Sequence, residues 1–428
     1  MKTIFLSITM LLLTPTMRLW GEEIAFHPVL PVSRQALDTE FATSGSLFVK
    51  ALNQGGVALS TGCGIAAYNG RGNETLHYFG ENVRTCVQAE SQTVAIRLLF
   101  GVDQLVDFCF GPRMQLAALA RVGETRRLVW ASTISASRRT RTWELPQGEC
   151  SWESCYSDGN SVYAIGDDRG QVNSLFVACA RADRDSTPVL SRISLGCEFG
   201  YTHATIRGND LIVFVKDTNV PASYRIVECA STPAGAVRVS SEYEGYVTCA
   251  EFDKRQRLVL AGSESGGENS FPGKMLVARM LETDIPDKTF GDKGRVLIDL
   301  DPWVLSELQR EEGHDSDRRY SACSLAHDRK GKIVIGGYVR GGTTTRAILA
   351  RLLCDGQLDP TFGAGGVIVI DFGGRNARID AVAIDSRGRI VCAGFVDAKP
   401  NESFFMVMRI IDNSASVREN LRKLGTVN

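Results

Sequence analysis

Long hydrophobic runs are scarce in this 428-residue chain. The stretch Ile4–Leu13 is too short to span a bilayer, and no later segment reaches the roughly 18 consecutive apolar residues that a membrane-spanning helix requires. An excess of one charge is missing as well. Lys and Arg number 48 against 49 Asp and Glu, and no basic tail is present, so the electrostatic footprint of a nucleic-acid binder is absent. Histidine is sparse, with five residues scattered at His27, His77, His203, His314 and His327. Neither CxxC nor a Cys/His run at zinc spacing occurs. His314 stands beside Glu312, Asp315 and Asp317, but the segment lacks the glycine-punctuated order of a calcium loop and reads as a solvated acidic loop. His327, in a strand-to-turn position, reads as structural. No metal-binding residue is assigned.

What is present begins with an export-type leader: Lys2, the apolar run Ile4–Leu13, then "TPTMRLWGEE" with a cut expected near Gly21. No cysteine follows the apolar run, which argues against a lipoprotein. The mature chain is expected to be exported, without a membrane span and monomeric. Twelve cysteines in such a chain invite a disulfide framework, yet their positions argue otherwise. Cys109, Cys179, Cys229, Cys323 and Cys392 lie in strand-like apolar runs, where a thiol acts as a small hydrophobe. Cys150 and Cys155, in the polar stretch "GECSWESCYSDG", are the pair whose context suits a bridge.

An internal repeat sets the architecture. Short β-type runs recur at Val57, Leu105, Val162, Leu211, Leu258, Ile333 and Ile390, at intervals of 47 to 57 residues with one of 75. The long interval contains the polar insertion "DLDPWVLSELQREEGHDSDRRY", read as a projecting loop at about residues 299–320. Before each run comes a strand and a polar turn, as in "RIDAVAIDSRGR". After it comes another strand, as in "SLFVACARA" or "AILARLL", and then an edge-like one such as "GVIVIDF". Helical periodicity is nearly absent outside Trp303–Arg310. A four-stranded antiparallel unit cannot bury both faces alone, so about seven such units predict an all-β propeller over residues 22–412, followed by a tail at 413–428.

The stretch "DRKGKIVIGGYVRGGTTTRAILARLLCDGQLDPTFGAGGVIVIDFGG" and the following "AVAIDSRGRIVCAGFVDAKPNESFFMVMRI" resemble delta-60 repeats of bacterial β-propellers. Residues 253–294, with "RQRLVLAG" and "PDKTFGDKG", form a third such copy. The resemblance is specific over residues 251–410. It fades across 50–250, where the L-D-x-x-F-G phrases and most turn glycines are missing. It implies the propeller fold and brings no catalytic residue set with it.

Signatures of enzymatic propellers are lacking. The nearest thing to a sialidase S-x-D-x-G-x-x-W box, "CYSDGNSVY", has Ser157 and Asp158 adjacent and no Trp, and the five Trp residues are not in the repeat register expected of quinoproteins. No G-x-S-x-G elbow, Walker loop or paired-carboxylate motif occurs. No catalytic residue, cofactor-binding residue or cofactor is assigned. The function expected is a non-catalytic scaffold binding a protein or glycan partner; the alternative is a hydrolase or lyase with its site at the mouth of the central channel. Finally, Asp38, Phe41 and Gly45 repeat the offsets of Asp287, Phe290, Gly294 and of Asp359, Phe362, Gly366, read as marking the passage between units. The segment Leu37–Leu47 is therefore expected to complete the last blade beside Phe404–Ile410, joining the termini and closing the ring.

Overall fold

The computed structural model describes most of residues 104–411, with gaps, and the strand backbones of 17–19, 22–26, 48–51, 57–61, 64–68 and 74–79. Among the described residues every element is a strand, and no helix is long and apolar enough to cross a membrane. The N-terminal strands are β1 (Met17–Leu19) and β2 (Glu22–Phe26). A first sheet follows: β3 (Phe48–Ala51), β4 (Val57–Thr61), β5 (Gly64–Tyr68) and β6 (Glu74–Phe79). The second sheet holds β7 (Gln104–Phe110), β8 (Leu116–Val122), β9 (Thr125–Ala131) and β10 (Thr140–Leu145). The third holds β11 (Cys150–Ser157), β12 (Ser161–Asp168), β13 (Ser174–Arg181) and β14 (Val189–Ser194). In the fourth are β15 (Phe199–Arg207), β16 (Asp210–Asp217), β17 (Ser223–Cys229), β18 (Val237–Val239) and β19 (Tyr243–Glu244). The fifth contains β20 (Tyr246–Phe252), β21 (Leu258–Ser263), β22 (Met275–Glu282), β23 (Ile285–Pro286) and β24 (Arg295–Ile298). The sixth contains β25 (Arg319–His327), β26 (Ile333–Gly341), β27 (Thr344–Leu352) and β28 (Val367–Ile370). Last come β29 (Ala377–Ile384), β30 (Ile390–Lys399) and β31 (Glu402–Ile411).

All pairings are antiparallel, and apart from β17 with β19 and β22 with β24, which each skip one short strand, a single pairing joins strands distant in sequence. The seventh sheet runs β1-β2-β31-β30-β29, so chain-start and chain-end strands share it. Glu23–Phe26 pair with Met408–Ile411. The joining of the two ends therefore uses Glu22–Phe26; Leu37–Leu47, the segment expected there, lies outside the described residues. Strand β1 falls inside the expected leader. A cut after Gly21 would remove β1 and keep β2.

Two readings of the repeat need correction. The run at Leu105 is the first strand of its sheet, β7, whereas the other runs are second strands; the second strand of that sheet is β8, from Leu116. An apolar first strand resembles an apolar second strand in composition. The phrase around Phe290 and Phe362 also sits within a sheet, between its third and fourth strands, and does not mark a passage between units. The ends of the expected insertion belong to the core: Leu300 is 0% and Tyr320 1% exposed. Residues 303–318 and the tail 413–428 lie outside the described residues.

First strands meet one another: β7 touches β11, β11 touches β15, β15 touches β20, β20 touches β25, β25 touches β29, and β29 touches β3. Six of them carry the same irregularity. A β-bulge against the second strand falls at Val106, Glu153, Thr202, Thr248, Cys323 and Asp380. A bulge bends and twists its strand, which aims the first-strand edge of each sheet at its neighbour. In four sheets a glycine of the second strand pairs with the residue just before the bulge: Gly166, Gly262, Gly337 and Gly394. A Cβ at Gly337 would stand 2.0 Å from the Ser321 carbonyl oxygen, and the other three meet the equivalent carbonyl at 1.7 to 2.4 Å. These glycines permit a close backbone approach that any side chain would block.

The bulges also locate hydrogen bonds between sheets. A first strand has no further strand beyond it, so some of its N–H groups need other partners. Cys155 N–H donates to Asp107 Oδ2 (2.8 Å), Ala204 N–H to the Tyr156 hydroxyl (3.2 Å), and Val382 N–H to Ser324 Oγ (3.0 Å). Each donor is two residues past the bulge of its own strand. At the corresponding residue of the fifth sheet, Ala250, the backbone carbonyl accepts a hydrogen bond from the His203 ring instead. Between the fifth and sixth sheets the link is made by Thr248 Oγ1 to the Ala322 carbonyl.

Candidate functional site

Most buried ionisable groups in the clearest repeats are committed to holding sheets together. Asp359 Oδ2 accepts from Arg351 Nε (2.7 Å) and Lys332 Nζ (2.6 Å), while its Oδ1 accepts from the Thr361 N–H and hydroxyl. The Arg351 guanidinium lies 4.4 Å above the Phe362 ring. One sheet earlier, Asp287 binds Arg279, Arg257 and Thr289 in the same way, and Arg279 stands 4.5 Å over Phe290. Phe290 packs with sixth-sheet side chains and Phe362 with seventh-sheet ones, each at 0% exposure. The D-x-T-F-G phrase is thus a wedge, with the aromatic ring driven between successive sheets and the carboxylate neutralising the arginine that covers it. Burial would raise the Asp359 pKa, but Lys332, Thr361 and Arg351 outweigh it and hold the carboxyl well below the usual range.

Hairpin turns absorb further carboxylates. Asp253, Asp328 and Asp385 accept the backbone N–H groups of Arg257, Lys332 and Arg389 across their turns, and Asp385 also pairs with Arg389 Nε at 2.6 Å.

One further group of ionisable side chains lies at the bulges of the sixth and seventh sheets. Asp380 accepts from Arg378 Nε at 3.0 Å, and the Cys323 thiol lies within the field of both. Burial, then the Asp380 charge, push the Cys323 thiol up to about 12, against a smaller opposing pull from Arg378. Burial also raises Asp380, with Arg378 offsetting part of it. Neighbouring Cys249 is fully buried and raised for the same first reason. This arrangement offers a paired carboxylate, a guanidinium and a protonated thiol. It can donate and accept hydrogen bonds, but at neutral pH it holds no thiolate nucleophile.

The two histidines with described side chains, His203 and His327, do not converge. His203 sits between the fourth and fifth sheets with its ring against Tyr156 and Phe214, and burial lowers its pKa to about 4. His327 Nδ1 meets Glu251 Oε2 at 3.2 Å, and its Nε2 is buried without a partner, in keeping with a structural role. His27, His314 and its acidic neighbours lie outside the described residues, as does the side chain of His77. Among the described residues, no three His, Cys, Asp or Glu side chains converge as metal ligands. A cleft of about 490 Å³, lined by Thr289, Asp292, Arg295, Asp355 and Gln357 among others, opens where the turns of the fifth and sixth sheets meet.

Cysteines follow the strand reading with one correction. Cys109, Cys179, Cys229, Cys323 and Cys392 are free thiols on strands. Cys150 and Cys155 share strand β11. Five residues of extended chain separate them by roughly 16 Å, far beyond the reach of a disulfide.

Residues 331–362 match the model of a β-propeller family described as a domain of unknown function (DUF5122). The match takes in Lys332, Arg351, Asp359 and Phe362, every principal member of the sixth-sheet knot. No curated protein matches the chain. Among solved structures, the chain is similar to the β-propeller domain of the Trilobed protease from Pyrococcus furiosus, at 10% identity over 85% of this chain and 95% of that one, with a TM-score of 0.45. It is also similar to Drosophila Semaphorin 1b extracellular domains 1–2, at 9% identity over 85% and 84%, TM-score 0.45. Virginiamycin B lyase from Staphylococcus aureus gives 8% identity over 85% and 94%, TM-score 0.44. The matched family segment and the run of antiparallel sheets support a β-propeller type of repeat architecture.

Proposed function

We propose that the chain is an exported, closed seven-bladed propeller that serves as a non-catalytic scaffold for a protein or glycan partner. Each of the seven sheets would be one blade, and the shared seventh sheet would be the clasp. Closure then needs the sheet β3–β6 to meet the sheet β7–β10. What supports a binding role is where the charges go: Asp287, Asp359 and Asp385 are spent between or within blades, and at the bulges the thiol is protonated and the carboxylate paired. Binding residues would be carried by loops on this rigid frame. The hydrolase or lyase alternative would have to draw on Arg378 and Asp380.

One experiment separates the two. The full-length protein is screened on glycan and surface-protein arrays, and in parallel against panels of ester, glycoside and polyuronate substrates. Saturable binding that survives Asp380→Asn supports the scaffold. Turnover lost in Asp380→Asn overturns it. Export is tested by N-terminal sequencing of the product recovered outside the cytoplasm, with Glu22 expected as the first residue.

A further inference from the structure

The junction between the second and third sheets lacks the D-x-T-F-G wedge that joins the later sheets, and it contains two cysteines. Cys109 lies on β7, paired across the ladder with Ala117. Cys155, on the facing strand β11, has its Sγ 3.8 Å from the carbonyl oxygen of that same Ala117. Its own N–H is held by Asp107, two residues before Cys109. Both side chains belong to one apolar cluster, and the Cys109 side chain lies beside the Cys155 thiol. They differ in access: Cys155 is 0% exposed, while Cys109 is half-buried.

We propose that Cys109 and Cys155 form a redox pair that closes into a disulfide, stitching the second sheet to the third, in the presence of an external disulfide of the glutathione class. The accessible thiol is the entry point. Cys109 sulfur, having lost its proton to solvent, attacks one sulfur of the external disulfide, and the other sulfur leaves as a thiolate that takes up a proton. Cys155 sulfur then attacks the Cys109 sulfur of this mixed disulfide, its proton passing to the second departing thiolate. Two protein thiols and one external disulfide become one protein disulfide and two external thiols, so atoms and electrons balance. The bond would close a loop of 46 residues (155 less 109) between strands already in contact. It would act where the ion-pair wedges are missing.

The test uses the full-length chain, reduced, desalted and incubated across a series of oxidised to reduced glutathione ratios. Free thiols are then alkylated and the protein digested without reduction. The expected result is a cross-linked peptide joining Cys109 to Cys155. The melting temperature should rise by about 5 °C, reverse with dithiothreitol, and fail to rise in Cys109→Ser. Cys155→Ser should accumulate a glutathione adduct at Cys109; because Cys155 is in the core, the Cys109→Ser comparison stands even if that variant folds poorly. Recovery of both cysteines alkylated after oxidation, or of Cys155 bonded to any other cysteine, overturns the proposal.

Discussion

Arg351 and Asp359 meet at 2.7 Å in the interior of the sixth sheet, 4% and 1% exposed, with the arginine laid flat enough to sit 4.4 Å above Phe362. Eight residues apart in sequence, they tie the third strand to the turn that launches the fourth. The same relationship between Arg279 and Asp287 holds the fifth sheet.

Removing one carboxylate from this knot should be severe. Asp359→Ala takes the carboxylate from buried Arg351 and half-buried Lys332, which destabilises by about 3–5 kcal/mol. The urea midpoint should fall accordingly. Asp355→Ala, one turn away on the surface, should move it by no more than about 0.5–1 kcal/mol, since it loses a single exposed hydrogen bond. Equal midpoints for the two variants would show that the knot carries no stability.

His203 should make folding sensitive to mild acid. Its pKa falls from an ordinary 6.5 to about 4 in the folded protein because burial disfavours the charged ring. A depressed base binds fewer protons when folded than when unfolded. Its contribution is therefore complete above pH 6.5 and lost as pH falls toward 4, on the order of 3 kcal/mol across that window. Stability measured by urea at pH 7, 6, 5 and 4 should decline in wild type. His203→Phe should flatten the profile between pH 6.5 and 4, and a decline that is unchanged in this variant would assign it elsewhere.

At lower pH the knots take over. The Asp359 and Asp287 pKa values are held below the ordinary carboxylate value of 3.8, so their stabilisation is complete above that value and is lost as pH drops further through the folded pKa. Asp380, raised by burial, works the other way: lowering the pH through its folded pKa relieves a buried charge. In Asp380→Asn this gain on acidification should vanish, which titration of the urea midpoint would reveal.

Gly337 is the sharpest test of the bulge. A methyl group there would stand 2.0 Å from the backbone oxygen of Ser321, which cannot swing away as a side chain could. Gly337→Ala should cost about 1–3 kcal/mol or displace β25 from β26. Gly123, whose φ of 59° is left-handed but whose Cβ position is open, should lose only about 1 kcal/mol on substitution by Ala. Amide exchange of Ala322–Leu325 should quicken in the first variant alone.

Deleting residues 1–28 removes β2 and exposes the edge of β31. Exchange protection at Met408–Ile411 should fall sharply and the melting temperature with it. Unchanged protection of those four amides would mean that Glu22–Phe26 contributes nothing to the seventh sheet.

How much of this was legible in the sequence varies from one end of the chain to the other. Residues 251–410 showed most of their strands and turns, because each unit repeats a hydrophobic run and an Asp-headed hairpin, and two of the three add a D-x-T-F-G phrase. In the second sheet the apolar content of β7 hid its place in the unit, and the second-strand position was assigned to Leu105 in place of Leu116. The phrase itself was visible, yet its job was not. That Asp359 faces Lys332 and Phe362 enters the next sheet depends on residues brought together from 27 positions away and from a neighbouring blade.

Strand alternation, the repeat period and turn chemistry are local properties, and they determined by themselves that this chain builds successive four-stranded antiparallel units. Only the tertiary structure decided which strand of each unit bears the bulge, because Val, Glu, Thr, Cys and Asp all occupy that position and no residue type marks it. It also decided that Cys150 and Cys155 lie too far apart along one strand to bond while Cys109 comes beside Cys155, and that Glu22–Phe26 joins the last sheet. Those outcomes follow from which edges and corners come into register when sheets pack. Packing register is a property of the assembled molecule, absent from any single stretch of its sequence.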